Sequence, residues 1–166
     1  MWTNTCCSHP LDTPSETGVE LEAAIHGACR AAQRKLNQEL GIPTEQVPPE
    51  IFHFLTRIHY KAPSNGPWGE HESKSKSLGG RFIVSNSPIP VDYILFAQAE
   101  VDLDVNPNEV KDTRYVTPDQ LRAMFREPAL TFTPWFRLIC ESMLFEWWEN
   151  FDNLQAYKNE KGIRRM

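Results

Sequence analysis

The chain has 166 residues, of which 40% are hydrophobic and five are tryptophan, and this composition predicts one globular domain with a single core. Its net charge of −5, from 17 basic and 22 acidic side chains, argues against nucleic acid or an anionic membrane as a partner. The sequence has no apolar run long enough to cross a membrane and no secretory signal, so its four cysteines are expected to be free thiols in a reducing compartment.

The spacing of apolar residues predicts a mixed α/β domain over 1–152. Gly41 is expected to end the first helix as its C-terminal cap, and Thr117 with Gln120 is spaced as a capping box for the next helix. In chain order the expected elements are a loop over 1–16, a helix over 19–40, strands over 51–62, 91–102 and 113–116, a helix over 117–127, a helix from Thr133, and a loosely held polar tail over 153–166.

Three short motifs concentrate the side chains that carry chemistry. The first is Asn4-Thr5-Cys6-Cys7-Ser8-His9-Pro10, in which two thiols, a hydroxyl and an imidazole lie within four positions, a density usual for a reactive or metal-binding loop. The second is Trp68-Gly69-Glu70-His71-Glu72, whose two glutamates point to the same face of a strand and can reach one cation. The third is Thr133-Pro134-Trp135, at the start of a predicted helix.

Together these motifs resemble those of the type I isopentenyl-diphosphate isomerases, which interconvert isopentenyl and dimethylallyl diphosphate in isoprenoid biosynthesis. The resemblance implies a Nudix-like α/β/α sandwich with a mixed sheet, and a cytoplasmic or peroxisomal monomer that acts on a small diphosphate. The reaction must add one proton and remove another through a tertiary cation. The resemblance assigns these two proton transfers to Cys7 and Glu72, on opposite faces of the substrate.

The resemblance also implies binding roles for other side chains. Ser8 would hydrogen-bond the diphosphate, and the aromatic faces of Tyr60 and Trp135 would stabilise the cation. The implied cofactor is Mg²⁺, with a second divalent metal, Mn²⁺ or Zn²⁺, at the His/Glu site. The implied metal ligands are His9, Glu39, Glu70 and Glu72. Without the resemblance, the same residues have plainer interpretations: a buried hydrophobic thiol, a loop serine, an exposed acidic strand and core aromatics.

Residues 34–42 resemble a Nudix signature that has lost two of its carboxylates. Nudix hydrolases use three carboxylates in this segment to hold metal for diphosphate hydrolysis, whereas Lys35 and Gln38 occupy two of those positions here and Glu39 keeps the third. These replacements argue against hydrolysis and favour a diphosphate held through one Mg²⁺ near Glu39. Taken alone, the segment is best interpreted as an ordinary amphipathic helix end.

Two features depart from the family pattern. Members of the family carry two more metal-ligand histidines and basic diphosphate ligands upstream of the Cys-Ser-His segment, and neither set can be assigned here. We therefore expect an isomerase that is truncated at the N-terminus, with an incomplete sheet there and impaired turnover; the alternative is a non-catalytic Nudix-like remnant that binds metal or diphosphate weakly. Residues 73–90 interrupt a strand that is continuous in the family, and we expect a retained intron, which the permitted codons favour, or a surface-loop insertion.

Overall fold

The structure, a computed structural model, describes residues 1–7, 9–59, 91–159 and 161–166. Within these ranges the strands are β1 (His53–His59), β2 (Asp92–Phe96) and β3 (Ile163–Arg165), and the helices are α1 (Leu21–Leu40), α2 (Pro118–Met124), α3 (Pro134–Ile139) and α4 (Phe145–Glu149). Short 3₁₀ turns cover Thr44–Gln46, Pro49–Ile51 and Phe151–Tyr157, and a π-helical turn, Cys140–Leu144, joins α3 to α4.

Strand β1 is the centre of the described sheet, antiparallel to β2 on one side and parallel to β3 on the other. The predicted α/β class and mixed sheet are therefore confirmed. β1 departs from simple alternation, because a bulge between Phe54 and Thr56 lets Leu55 enter the core as well. One core cluster joins the sheet to the C-terminal helices; its buried members are Leu55, Ile58, Ile139, Met143, Trp147 and Leu154.

Helix α1 confirms the helix predicted over 19–40. It ends at Gly41, which has a φ of 66° and whose N–H donates to the backbone oxygen of Asn37 at 3.0 Å. A Cβ at Gly41 would lie 2.1 Å from the backbone oxygen of Asp104, so both the conformation and the close approach require glycine. The capping box formed by Thr117 and Gln120 is also present, at the start of α2.

Two strand predictions are wrong: the strand predicted over 91–102 is shorter in the structure, and the one predicted over 113–116 is absent. β2 ends at Phe96 rather than at 102, because the chain beyond it leaves the sheet and bonds the end of α1: the Asp104 N–H donates to the Leu40 backbone oxygen at 2.9 Å. Residues 113–116 form no strand, since three of these four side chains are exposed and offer no apolar face to bury.

Residues 153–159 and 161–166 are packed on the core, which corrects the expectation of a loosely held tail over 153–166. Leu154 is 4% exposed, the Asn159 N–H donates to the Leu55 backbone oxygen at 2.7 Å, and β3 pairs with β1. Although most of the segment is polar, its apolar side chains Leu154, Tyr157 and Met166 pack in the core cluster that joins the sheet to the C-terminal helices. The insertion predicted over 73–90 lies outside the described residues, and the domain boundary at 152 stays a prediction.

Among the described residues, no helix combines the length and the apolar character that a membrane span needs.

Candidate active site

A pair of backbone hydrogen bonds fixes the N-terminal segment beside the start of α3. The Trp2 N–H donates to the Thr131 oxygen at 2.7 Å, and the Thr133 N–H donates to the Trp2 oxygen at 2.9 Å, which makes a parallel bridge between Trp2 and Phe132. The hydroxyl oxygens of Thr3 and Thr133 lie 2.9 Å apart. The first and third sequence motifs therefore lie side by side, although Thr3 and Thr133 are 130 positions apart in the chain.

Asn4 connects Trp135 to the cysteine pair. Its Oδ1 accepts the indole N–H of Trp135 at 3.2 Å, although the two residues are 131 positions apart, and its Nδ2 donates to the backbone oxygen of Cys6. These contacts place the segment that carries Cys7 next to Trp135. Sequence reasoning gave Asn4 no role, because an asparagine in a polar loop forms no pattern that distinguishes it from any other turn residue.

The two neighbouring cysteines have different surroundings. Cys6 is half-buried, and its desolvation, reinforced by the nearby Glu39 carboxylate, raises the pKa of its thiol to about 12. It packs on an apolar cluster at the end of α1, made of Leu36, Leu40, Ile42 and Val47. Cys7 is exposed, so the interpretation of Cys7 as a buried hydrophobic residue is wrong and fits Cys6 instead. None of the four cysteines forms a disulfide, in agreement with the expectation of reduced thiols.

The loop that follows Cys7 is held on α1 by one buried carboxylate. Arg34 donates from Nε to Glu16 Oε1 at 2.7 Å and from Nη2 to Oε2 at 2.9 Å, and it also donates to the His9 backbone oxygen at 3.2 Å. The Leu11 N–H donates to Glu16 at 2.8 Å. The Arg34 hydrogen bonds lower the pKa of Glu16. Gly27 makes this approach feasible, because a Cβ there would lie 2.3 Å from the Glu16 backbone oxygen.

The modified Nudix segment is paired within its own helix. Lys35 Nζ lies 2.7 Å from Glu39 Oε1, and Arg34 Nη1 donates to Gln38 Oε1 at 3.1 Å. The Lys35 pKa is raised by its hydrogen bond to Glu39. The two residues that replace carboxylates of the signature, Lys35 and Gln38, thus bind helix neighbours one turn away. This arrangement presents one carboxylate, partly neutralised, where a Nudix hydrolase needs three.

The metal site is only partly represented in the described residues. His9 is exposed and Glu39 is half-buried, while Glu70, Glu72, Tyr60 and Ser8 lie outside the described ranges. No group of three or more His, Cys, Asp and Glu side chains placed to hold a metal occurs in the part of the chain that the structure describes. An imidazole with carboxylates suits a divalent cation, but only one imidazole and one carboxylate of the predicted set are described.

A model of the NUDIX domain matches residues 27–136 of the chain, which include α1 from Gly27 onward, the modified signature and the start of α3. The chain belongs to the NUDIX family. This assignment agrees with the α/β fold and with the resemblance of residues 34–42 to a Nudix signature.

Three curated relatives of this NUDIX protein are named for the same enzymatic activity. It is 63% identical over 168 residues to an isopentenyl-diphosphate delta-isomerase of Aspergillus fumigatus, an alignment that covers 100% of this chain and 57% of that protein. It is 48% identical over 159 residues to the isopentenyl-diphosphate delta-isomerase of Schizosaccharomyces pombe, with an alignment that covers 96% of this chain and 62% of that protein. It is 45% identical over 168 residues to isopentenyl-diphosphate Delta-isomerase 1 of Bos taurus, an alignment that covers 99% of this chain and 65% of that protein.

These alignments confirm the resemblance that the three motifs indicated. The chain spans about three fifths of the length of the curated relatives it matches.

Proposed function

We propose that this NUDIX protein is an isopentenyl-diphosphate isomerase that interconverts isopentenyl and dimethylallyl diphosphate. The observation that carries the proposal is the juxtaposition made by Asn4: the segment that bears the exposed Cys7 thiol is hydrogen-bonded to Trp135. A proton-transfer group beside an aromatic face is what the reaction needs, because the alkene is not activated and its protonation creates a cation. The names of relatives up to 63% identical support the same activity.

In the proposed reaction each acid/base residue handles one proton. Cys7 and Glu72 flank the alkene; one donates a proton to a terminal carbon, and the other removes a proton from the carbon on the far side of the cationic centre. The face of Trp135, and that of Tyr60, lowers the energy of the tertiary cation between these steps. An exposed thiol is accessible to substrate, in contrast to the half-buried thiol of Cys6.

We propose Mg²⁺ as cofactor, with a second divalent metal, Mn²⁺ or Zn²⁺, at the His/Glu site. Its charge would help to hold the anionic diphosphate, which Ser8 also binds. His9, Glu70 and Glu72 would be ligands at one site, and Glu39 would hold Mg²⁺ at another. Metal analysis tests the assignment: Glu72→Gln should lower metal content, Cys7→Ala should not, and equal loss would contradict it.

The setting of the proposed reaction is that of a small-molecule enzyme. The partner is the diphosphate substrate, and we propose a monomer in the cytoplasm, where the four cysteines, none of which forms a disulfide, would stay reduced. Diphosphate hydrolysis is not proposed, since Lys35 and Gln38 are paired within α1 at positions where hydrolysis needs metal-binding carboxylates.

The proposed function is tested in a protein of full family length. The chain replaces the matching segment of the Aspergillus fumigatus relative, and this hybrid protein is assayed with labelled isopentenyl diphosphate and Mg²⁺. We expect dimethylallyl diphosphate to form at a rate within about tenfold of the unmodified relative. A folded hybrid that binds isopentenyl diphosphate without converting it would contradict the proposal and support a non-catalytic binding role.

A further inference from the structure

Asn4 makes three hydrogen bonds, one of which joins the N-terminal segment to the start of α3. Its Oδ1 accepts from Trp135 Nε1 at 3.2 Å and from the Thr3 hydroxyl at 2.9 Å, while its Nδ2 donates to the Cys6 backbone oxygen. A carboxamide meets this requirement because one planar group accepts on one side and donates on the other. An aspartate at this position would accept without donating, and a leucine would do neither.

A short chain of hydroxyl groups supports Asn4 from the same helix. The Thr3 hydroxyl donates its one proton to Asn4. The hydroxyl oxygens of Thr3 and Thr133 lie 2.9 Å apart, so in this second hydrogen bond Thr133 is the donor and Thr3 the acceptor. Thr133 is 9% exposed and directly precedes α3, which carries Trp135 in its first turn. The Asn4 oxygen is therefore held twice by the start of α3, directly through Trp135 and indirectly through Thr133.

We infer that Asn4 is a positioning residue for the isomerisation, one that fixes the Trp135 ring relative to the Cys7 thiol. The inference rests on the proposed function. Asn4 holds the carbonyl group that immediately precedes Cys7 and, with the same amide, the edge of the ring whose face stabilises the cation. A misplacement of about 1 Å between such groups lowers a rate by about 100-fold, so a single tether between them has a large effect on turnover.

Two substitutions of Asn4 separate its two connections. Asn4→Leu keeps the size of the side chain and removes all three hydrogen bonds. Asn4→Asp keeps an acceptor for the Trp135 indole and removes the donor to Cys6. Thr5→Val is the matched control, because Thr5 is adjacent and exposed, and no hydrogen bond to its hydroxyl occurs among the described residues.

The kinetic signature of a positioning residue is a loss in kcat at nearly constant KM. In the hybrid protein we expect Asn4→Leu to lower kcat by about 30- to 100-fold and Asn4→Asp by about tenfold. KM for isopentenyl diphosphate should stay within about threefold, because the diphosphate is bound by other groups. Thr5→Val should change neither constant by more than about threefold.

A second measurement detects the hydrogen bond between the Trp135 indole and Asn4 independently of turnover. The indole N–H signal of Trp135 in a ¹⁵N spectrum is identified by its loss in Trp135→Phe. We expect this proton to exchange with water faster in Asn4→Leu than in Asn4→Asp, which still accepts its hydrogen bond, while the signals of the other tryptophans stay in place.

The outcomes separate the inference from the proposed function. A hybrid that turns over but loses less than about threefold in kcat with Asn4→Leu would overturn the positioning role alone. A rise in KM at unchanged kcat would do the same. An unsubstituted hybrid without turnover would overturn the proposed function, and the positioning role with it. If Asn4→Leu does not fold, Asn4→Asp decides: kcat within about threefold of the unsubstituted hybrid overturns the role.

Discussion

Arg34 binds Glu16 through two hydrogen bonds of 2.7 and 2.9 Å, and this pair anchors the loop after the cysteine motif to the C-terminal half of α1. The Glu16 side chain is 8% exposed and that of Arg34 is 22% exposed, so the pair is sheltered on the carboxylate side and partly open on the other. The same guanidinium donates to the His9 backbone, which ties a predicted metal ligand to the anchor.

Breaking this pair should cost stability in a pH-dependent way. Glu16→Gln should lower the free energy of unfolding at neutral pH by about 1–2 kcal/mol, because a charge-assisted bidentate contact is lost. Arg34 lowers the pKa of Glu16 in the folded state, so the stabilisation is complete above the unfolded pKa and is lost as pH falls through the folded pKa.

Urea unfolding of the wild-type chain and Glu16→Gln at several pH values measures this effect. The difference in unfolding free energy should shrink in acid, while the exposed Glu45→Gln control should differ little from wild type at any pH. A difference between wild type and Glu16→Gln that grows in acid would contradict the assignment.

The four thiols should react in a definite order. At about pH 8 the exposed Cys7 should react with a disulfide reagent well before the others in the native chain. Burial raises the pKa of Cys6 to about 12, of Cys29 to about 11 and of Cys140 to about 12, which leaves little thiolate at any of them. The reaction is followed by absorbance and by mass mapping, and Cys7→Ala should remove the fast phase. A fast phase that survives this substitution would assign the reactive thiol elsewhere.

Replacement of the glycine at the end of α1 should destabilise the fold. Gly41→Ala combines a positive φ with a contact 2.1 Å from a backbone oxygen, and should lower stability by at least about 2 kcal/mol, or about 4–8 °C in Tm. Gly162→Ala is the control, since its Cβ would approach only the movable amide end of Asn159, at 2.8 Å. Equal Tm values for the two variants in calorimetry would show that the end of α1 tolerates a side chain.

Helix α1, its glycine cap and the capping box of α2 follow from local patterns, and the structure contains all three. The residues that organise the site do not, because their partners are far away in sequence. Asn4 with Trp135 and Glu16 with Arg34 are pairs that only the tertiary fold brings together. The packing of residues 153–159 and 161–166 is not predictable for the same reason, since β3 is recognised as a strand only through its pairing with β1.

Turnover should depend on the aromatic face at the start of α3. In the hybrid protein Trp135→Phe should lower kcat by about tenfold, because a smaller ring gives up part of a cation–π stabilisation of about 1–2 kcal/mol and the hydrogen bond to Asn4 is lost. Trp148→Phe, a half-buried tryptophan in α4, should leave kcat within about threefold. Similar losses in both variants would indicate a general packing effect rather than a role of Trp135 near the cation.

The proposed acid/base role of Cys7 is the central claim, and kcat of two neighbouring cysteine variants in the hybrid protein tests it most directly. Cys7→Ala should lower conversion of isopentenyl diphosphate by at least about 1,000-fold, because the remaining partner cannot carry out both proton transfers. Cys6→Ala, which removes a half-buried thiol from the cluster at the end of α1, should keep kcat within about tenfold. Conversion by Cys7→Ala at a rate close to that of Cys6→Ala would contradict the account.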